Sequence, residues 1–113
     1  MSRQTPDLEG RVVVVTGSTR GIGRAIAESC AALGATVVVN GRSAEAVART
    51  VSELIRVAAD TAPQAGVPGA AAPVSGIAAD VSDPTEVRRV FDHALETWGR
   101  IDIWVNNAGI SQG

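Results

Sequence analysis

The chain has 113 residues, 45% of them apolar and 19% charged, with a formal net charge of −2. That size and composition allow one domain with a modest core, and the scatter of arginines from Arg3 to Arg100 excludes the basic field that a nucleic-acid partner requires. Residues 1–10 hold no apolar signal core and no apolar run approaches the roughly 20 residues of a membrane helix, so the expectation is a soluble, cytoplasmic chain without a membrane partner.

The first predicted element is a strand over Arg11–Thr16, where Val12 to Val15 are too uniformly apolar for a half-exposed strand and read as a parallel strand buried on both faces. Three glycines follow at Gly17, Gly21 and Gly23, and they match neither G-x-G-x-x-G nor the phosphate loop G-x-x-x-x-G-K-[ST]. From Ile22 the apolar residues Ile22, Ala25, Ile26, Cys30 and Leu33 recur at helical spacing until Gly34 supplies a stop. Thr36–Asn40 is a second strand, and Ser43 caps a second helix with Val47, Val51, Leu54, Ile55 and Ala58 on one face.

Residues 60–73 carry Pro63, Pro68, Pro73, Gly66 and Gly69 and read as a surface loop, longer than the about 2–6 residues usual in such folds. Val74–Ala79 is a strand by alternation of elements, although Ser75 and Gly76 interrupt it. Asp83-Pro84-Thr85-Glu86 starts a third helix, with Val87, Val90, Phe91, Ala94, Leu95 and Trp98 as its apolar stripe and Gly99 as its end. Ile101–Val105 is the fourth strand. Strand and helix thus alternate throughout residues 1–113, which predicts a single α/β domain of Rossmann type. It would be a doubly wound parallel sheet of four strands in order 3-2-1-4 with three helices.

In such a sheet a ligand sits where the carboxyl ends of the two central strands diverge, here at Gly17 and Asn106. The spacing then has a purpose. Gly17 turns the chain sharply, Gly21 and Gly23 let backbone approach a ligand, and the helix behind them aims free N–H groups at a pyrophosphate. The other reading is that the glycines only make a tight strand-to-helix turn. At the end of the second strand, an acidic residue would accept from a ribose 2′-hydroxyl, but this chain has Asn40, Gly41 and Arg42. Arg42 and Arg20 would grip a 2′-phosphate, which predicts NADP(H) in preference to NAD(H), unless both are solvated surface charges.

Thr16-Gly17-Ser18-Thr19-Arg20-Gly21-Ile22-Gly23 resembles the T-G-x-x-x-G-I-G signature of short-chain dehydrogenases/reductases. Asp80-Val81 is similar to that family's adenine-contacting pair and Asn106-Asn107-Ala108-Gly109 to its N-N-A-G. The resemblance implies that Asp80 bonds the adenine amino group, that Asn107, Ala108 and Gly109 line the adenine ribose, and that Asn106 ties the central strands. It also implies hydride transfer between nicotinamide and a carbonyl or alcohol carbon, through a tyrosine, a lysine four positions later and a serine.

Those groups are missing here: the sequence has no tyrosine, and all ten basic residues are arginine. Ser111 lies too close to N-N-A-G to replace the serine. His93 is expected to face water, Cys30 to be core rather than nucleophile, and no metal set is apparent, a lone cysteine having no zinc partner. The chain reads as the cofactor-binding portion of a truncated oxidoreductase, inactive alone. The alternative is a non-catalytic nucleotide-binding module or partner subunit that completes its sheet on another chain. In either case an open fourth-strand edge with Ile101, Ile103 and Val105 is expected to attract a second copy or a complementing chain.

Overall fold

Four successive valines leave a strand no polar face, and β1 (Val12–Val15) is buried on both sides. The computed structural model describes residues 8–61 and 73–108. In it β1 pairs in parallel with β2 (Thr36–Gly41), Val12 opposite Thr36, and with β4 (Ile103–Val105), Val13 opposite Ile103. On the far side β2 pairs in parallel with β3 (Val74–Ala78), Val37 opposite Val74. The order β3-β2-β1-β4 is the doubly wound arrangement expected, and α1 (Gly21–Ala32), α2 (Ala44–Thr61) and α3 (Pro84–Trp98) complete it.

The period of two along the strands divides the core. Val13, Val15, Val37 and Val39 pack with Ala27 and Ala31 of α1 and Val47 and Leu54 of α2, while Val14 and Val38 pack on the other face with Val90 and Ala94 of α3. Two helices therefore cover one face and one covers the other. Fully burying a single valine side chain is worth about 1.5–3 kcal/mol, so the valines of β1 and β2 are the main source of cohesion.

Local signals set the element ends. Gly34 adopts a φ of 92° after α1, and Ala35 N–H reaches back to Cys30 O at 3.0 Å, closing a Schellman turn. Ser43 Oγ accepts from Ala46 N at 3.1 Å at the start of α2, and Asp83 Oδ1 accepts from Thr85 N at 2.9 Å at the start of α3, with Pro84 in its first turn and Gly99 left-handed at its end. The anticipated loop overlaps α2, which continues through Thr61; residues 62–72 lie outside the described residues. Gly76, which weakens β3 by propensity, has a packing reason: a β-carbon there would lie 2.5 Å from Val47 Cγ1 and 2.8 Å from Val51 Cγ2.

The helix faces differ from the periodic expectation in two places. On α1 the buried line is Gly23, Ala27 and Ala31, with Ile26 and Cys30 packed beside it; Ile22 is 72% exposed, and Ala25 and Leu33 also face outward. Small residues face the sheet because Gly23 must sit against the turn after β1. On α3, Phe91 (41%) and Leu95 (37%) turn outward, and His93, expected in water, packs toward β3. The cause is Ser75, whose hydroxyl lies 3.0 Å from His93 Nε2 and accepts from Trp98 Nε1 at 3.0 Å. β4 is shorter than expected, and Ile101 and Val105 are partly packed into the two cores, which leaves Ile103 as the exposed apolar residue of that strand.

With the Trp98 indole donating to Ser75 Oγ, the hydroxyl can donate its proton to a neutral His93 Nε2 or accept from Nε2–H through its second lone pair. Burial pushes the His93 pKa below its usual value, against the opposing pull of Glu96. The unfolded chain therefore binds the proton more readily than the folded one, so His93's contribution is full above the ordinary imidazole value and is lost as pH falls through it toward the folded value. Thermal melts of the unsubstituted chain and of His93→Gln between about pH 8 and about pH 5 check this. The unsubstituted chain should lose melting temperature on acidification relative to the variant, and parallel curves would refute it.

Candidate functional site

Where β1 ends, the chain leaves a fully buried environment and its last polar groups must find partners. Thr16 is buried, and its Oγ1 accepts from Asn107 N at 2.9 Å and from Ala108 N at 3.1 Å, with Asn106 Oδ1 at 3.3 Å as a partner for its proton. Asn107 Nδ2 donates to Gly17 O at 3.0 Å. These bonds join the carboxyl ends of β1 and β4, so Asn106 and Asn107 both tie the central strands. Gly109 lies outside the described residues.

A second set of bonds runs the other way. Ser18 is buried and its Oγ donates to Val15 O at 2.7 Å while accepting from Asn40 N at 2.9 Å. Ser18 N donates to Asn40 O at 2.7 Å. Asn40, also buried, accepts at Oδ1 from Gly17 N at 3.1 Å and donates through Nδ2 to Ile77 O and Ala79 O, each at 3.2 Å. Ser18, within the glycine signature, and Asn40, at the end of the second strand, were expected among the cofactor-binding residues, and both turn their side chains into the protein.

The glycines divide the labour differently from the simple expectation. Gly17 (φ 59°) turns the chain, and a β-carbon on it would lie 3.0 Å from Ala108 Cα. Gly23 faces inward: a β-carbon there would fall on Gly17 O and 2.5 Å from Asn107 Nδ2, so its bareness serves helix-to-turn packing rather than ligand approach. Gly21 (φ 62°) is the open one, exposed and with nothing within 4 Å of an added β-carbon. Gly41 is buried at the end of β2, its missing side chain replaced by Thr19, whose Cγ2 would be 2.6 Å from a β-carbon at position 41.

Behind Gly21 the amino terminus of α1 has no side-chain cap and no acidic residue in its first turn, unlike α2 with Ser43 and Glu45 or α3 with Asp83 and Glu86. Its first N–H groups and the positive end of its dipole are left for an anion. Arg24 is held by Glu28 and Glu53 at 3.0 Å each, whereas Arg20 and Arg42 are exposed and have no ion-pair partner among the described residues. Asp80 lies on the same rim. Ser82 donates to Asp80 Oδ1 from its hydroxyl at 2.7 Å and its N–H at 3.0 Å, and these bonds, with Arg42 nearby, hold the carboxyl below the usual range. Val81 is half-buried against the α3-side core.

Other reactive side chains lie outside this rim. Burial pushes the Cys30 thiol up, away from thiolate character, and His93 is engaged with Ser75. Among the described residues no group of three or more His, Cys, Asp or Glu side chains is placed to hold a metal, and no helix is long and apolar enough to cross a membrane. Sequence reading missed Thr16 as a site residue, although a lone hydroxyl at the end of an all-valine strand was a usable signal. It also missed Asp102, which accepts from Val12 N at 2.8 Å and from Arg100 at 2.6 Å at the opposite end of β1.

The sheet order, the bare turn at its switch point and the uncapped helix behind it define a Rossmann-type α/β domain. Residues 11–113 match the short chain dehydrogenase family, and the chain belongs to that family. It is 47% identical over 104 residues to 3beta-hydroxysteroid dehydrogenase 1 of Eggerthella lenta, covering 92% of this chain and 35% of that protein. Among solved structures it is similar to the RhlG/NADP active-site complex of Pseudomonas aeruginosa, with TM-score 0.75 and 34% identity over 95% of this chain and 38% of that one. It is also similar to the 3-ketoacyl-(acyl-carrier-protein) reductase of Brucella melitensis complexed with NADH, with TM-score 0.69 and 28% identity over 87% of this chain and 34% of that one. The chain therefore spans about a third of the length of these relatives.

The two helix-proximal glycines should respond differently to alanine. Gly21→Ala adds only the strain of a left-handed residue, about 1–2 kcal/mol, whereas Gly23→Ala drives a methyl group into a backbone carbonyl and should cost more. Chemical denaturation of both variants measures the order, and equal losses would contradict the packing role of Gly23.

Proposed function

We propose that these 113 residues hold the adenosine and diphosphate part of NADP(H) for a short-chain dehydrogenase/reductase that moves hydride between nicotinamide and a carbonyl or alcohol carbon. The observation that carries this reading is the uncapped amino terminus of α1 at the open Gly21, with Arg20 and Arg42 exposed and outside any ion pair among the described residues. The residues fit the cofactor. Gly17, Thr19, Gly21 and the first turn of α1 would receive the diphosphate, with the exposed Ile22 as an apolar wall beyond it. Asp80 has an acceptor oxygen, Oδ2, outside its Ser82 bonds for the adenine amino group, and Val81, Asn107, Ala108 and Gly109 would border the adenosine.

Preference for NADP(H) is supported by the absence of a carboxylate at the Asn40-Gly41-Arg42 end of β2 and by Arg20 and Arg42, which have no ion-pair partner among the described residues. A charged hydrogen bond is worth about 1.5–3 kcal/mol, so Arg42→Ala should weaken NADP by that amount and leave NAD nearly unchanged. Parallel calorimetric titrations check it, and equal or tighter binding of NAD by the unsubstituted chain would overturn the preference. The bound cofactor would supply the hydride. These residues contain no tyrosine or lysine to move the accompanying proton, so binding without turnover is the expectation for the isolated chain.

A second reading, a nucleotide-binding module that completes its sheet on another chain, is favoured by one feature: Ile103 is 38% exposed on β4, at the edge of the sheet. Gel filtration at rising concentration should then show a shift to dimer or larger species, and a constant monomer would count against it.

A further inference from the structure

We propose that Asn40 is a positioning residue that locks the first residue of the glycine turn to the carboxyl end of β3, and so sets the separation between the diphosphate cradle and the adenine-side loop. The inference rests on the nucleotide reading above and changes what Asn40 does within it. Asn40 is 1% exposed, and each polar group of its side chain already has a partner of the right kind. Oδ1 faces a donor, Gly17 N, at 3.1 Å; Nδ2 faces two acceptors, Ile77 O and Ala79 O, at 3.2 Å. Both amide hydrogens and one of the two Oδ1 lone pairs are thus engaged, and at 1% exposure the remaining lone pair is shut away from a ribose hydroxyl.

The chemistry singles out asparagine. A carboxylate of the same shape would set a negative charge against two carbonyl oxygens, and a serine would be too short to reach both Gly17 and β3. The residues it joins matter equally. Gly17, at φ 59°, is the first residue of the turn, and Ala79 directly precedes Asp80 and Val81. The backbone of Asn40 is itself fixed by Ser18, through Asn40 N to Ser18 Oγ at 2.9 Å and Ser18 N to Asn40 O at 2.7 Å. A single buried amide therefore connects the ends of β1, β2 and β3, and a ligand that must touch both the turn and the β3 loop meets two surfaces at a set distance.

The test uses the full chain and two variants, Asn40→Ser and Asn40→Asp, titrated with NADP and separately with adenosine at a temperature where circular dichroism shows each folded. NADP, which spans both surfaces, should weaken about tenfold or more, the worth of about one buried hydrogen bond, while adenosine, which carries no phosphate for the glycine turn or Arg20, should bind as before. Equal weakening of both ligands would mean that Asn40 reads the nucleotide directly, and unchanged NADP binding would mean that it positions nothing; either result overturns the proposal. Amide exchange at Gly17, followed by NMR without nucleotide, separates this inference from the reading beneath it. Faster Gly17 exchange in Asn40→Ser with no NADP binding by the unsubstituted chain would support the clamp and sink the nucleotide reading, whereas unaltered exchange sinks the clamp. If Asn40→Ser does not fold, Asn40→Asp decides: its melting temperature should approach that of the unsubstituted chain as acid restores an O–H donor, and a gap independent of pH overturns the proposal.

Discussion

The constraint on which the site depends is that β1 is buried on both faces and runs out of ladder partners while still inside the protein. Water does not reach its last amides and carbonyls, so side chains must serve them. Thr16 and Asn107 do this toward β4, and Ser18 and Asn40 do it toward β2 and β3. Among the described residues no buried side-chain polar atom is left without a partner. The floor of the crevice is consequently closed, and what faces outward there is main chain: the N–H groups around Gly21 and the first turn of α1.

That division makes the contrast among the three helices informative. A cap is worth about 1 kcal/mol, and α2 and α3 have theirs from Ser43 and Asp83. α1 forgoes one, because a side chain bonded to its first amides would occupy the space that Gly21 keeps open. Neither Ser18 nor Thr19 supplies the cap even though both side chains are of the capping type: Ser18 points into the β1–β2 joint and Thr19 fills the place of a side chain at Gly41.

The parts of the fold legible in the amino-acid sequence are those decided locally. β-branched runs gave β1 and β2, the alternation of elements gave β3, and Gly34, Ser43, Asp83 and Gly99 marked helix ends through backbone geometry within a few residues. Helix phase was less legible, since it is a tertiary matter. Periodicity favoured Ile22 and Leu33 for the core of α1, but the approach of Gly23 to Gly17 O rotates the helix onto its small residues. Likewise Ser75, a weak strand residue by propensity, draws His93 and Trp98 inward and turns Phe91 and Leu95 out. The site followed the same rule. Topology located Gly17 and Asn106 at the switch point and Asn40 at the end of the second strand, yet only three-dimensional bonding showed that the side chains of Ser18 and Asn40 turn into the protein.

Charge at the rim is, by contrast, almost independent of the fold. Arg24, one turn into α1, is neutralised by Glu28 and Glu53 and helps join α1 to α2. Arg20 and Arg42 form no ion pair among the described residues, Arg42 acting on Asp80 only at longer range, and an exposed ion pair would add only about 0–1 kcal/mol if they did. Leaving them unpaired therefore costs the domain little, while against a phosphate each would contribute more, because a fork of N–H donors meets a concentrated negative charge. On the proposed NADP(H) reading, cofactor choice and stability reside in different residues. The buried amides and hydroxyls at the ends of β1 and β2 set the shape of the crevice, and the exposed guanidiniums can set its selectivity without disturbing that shape.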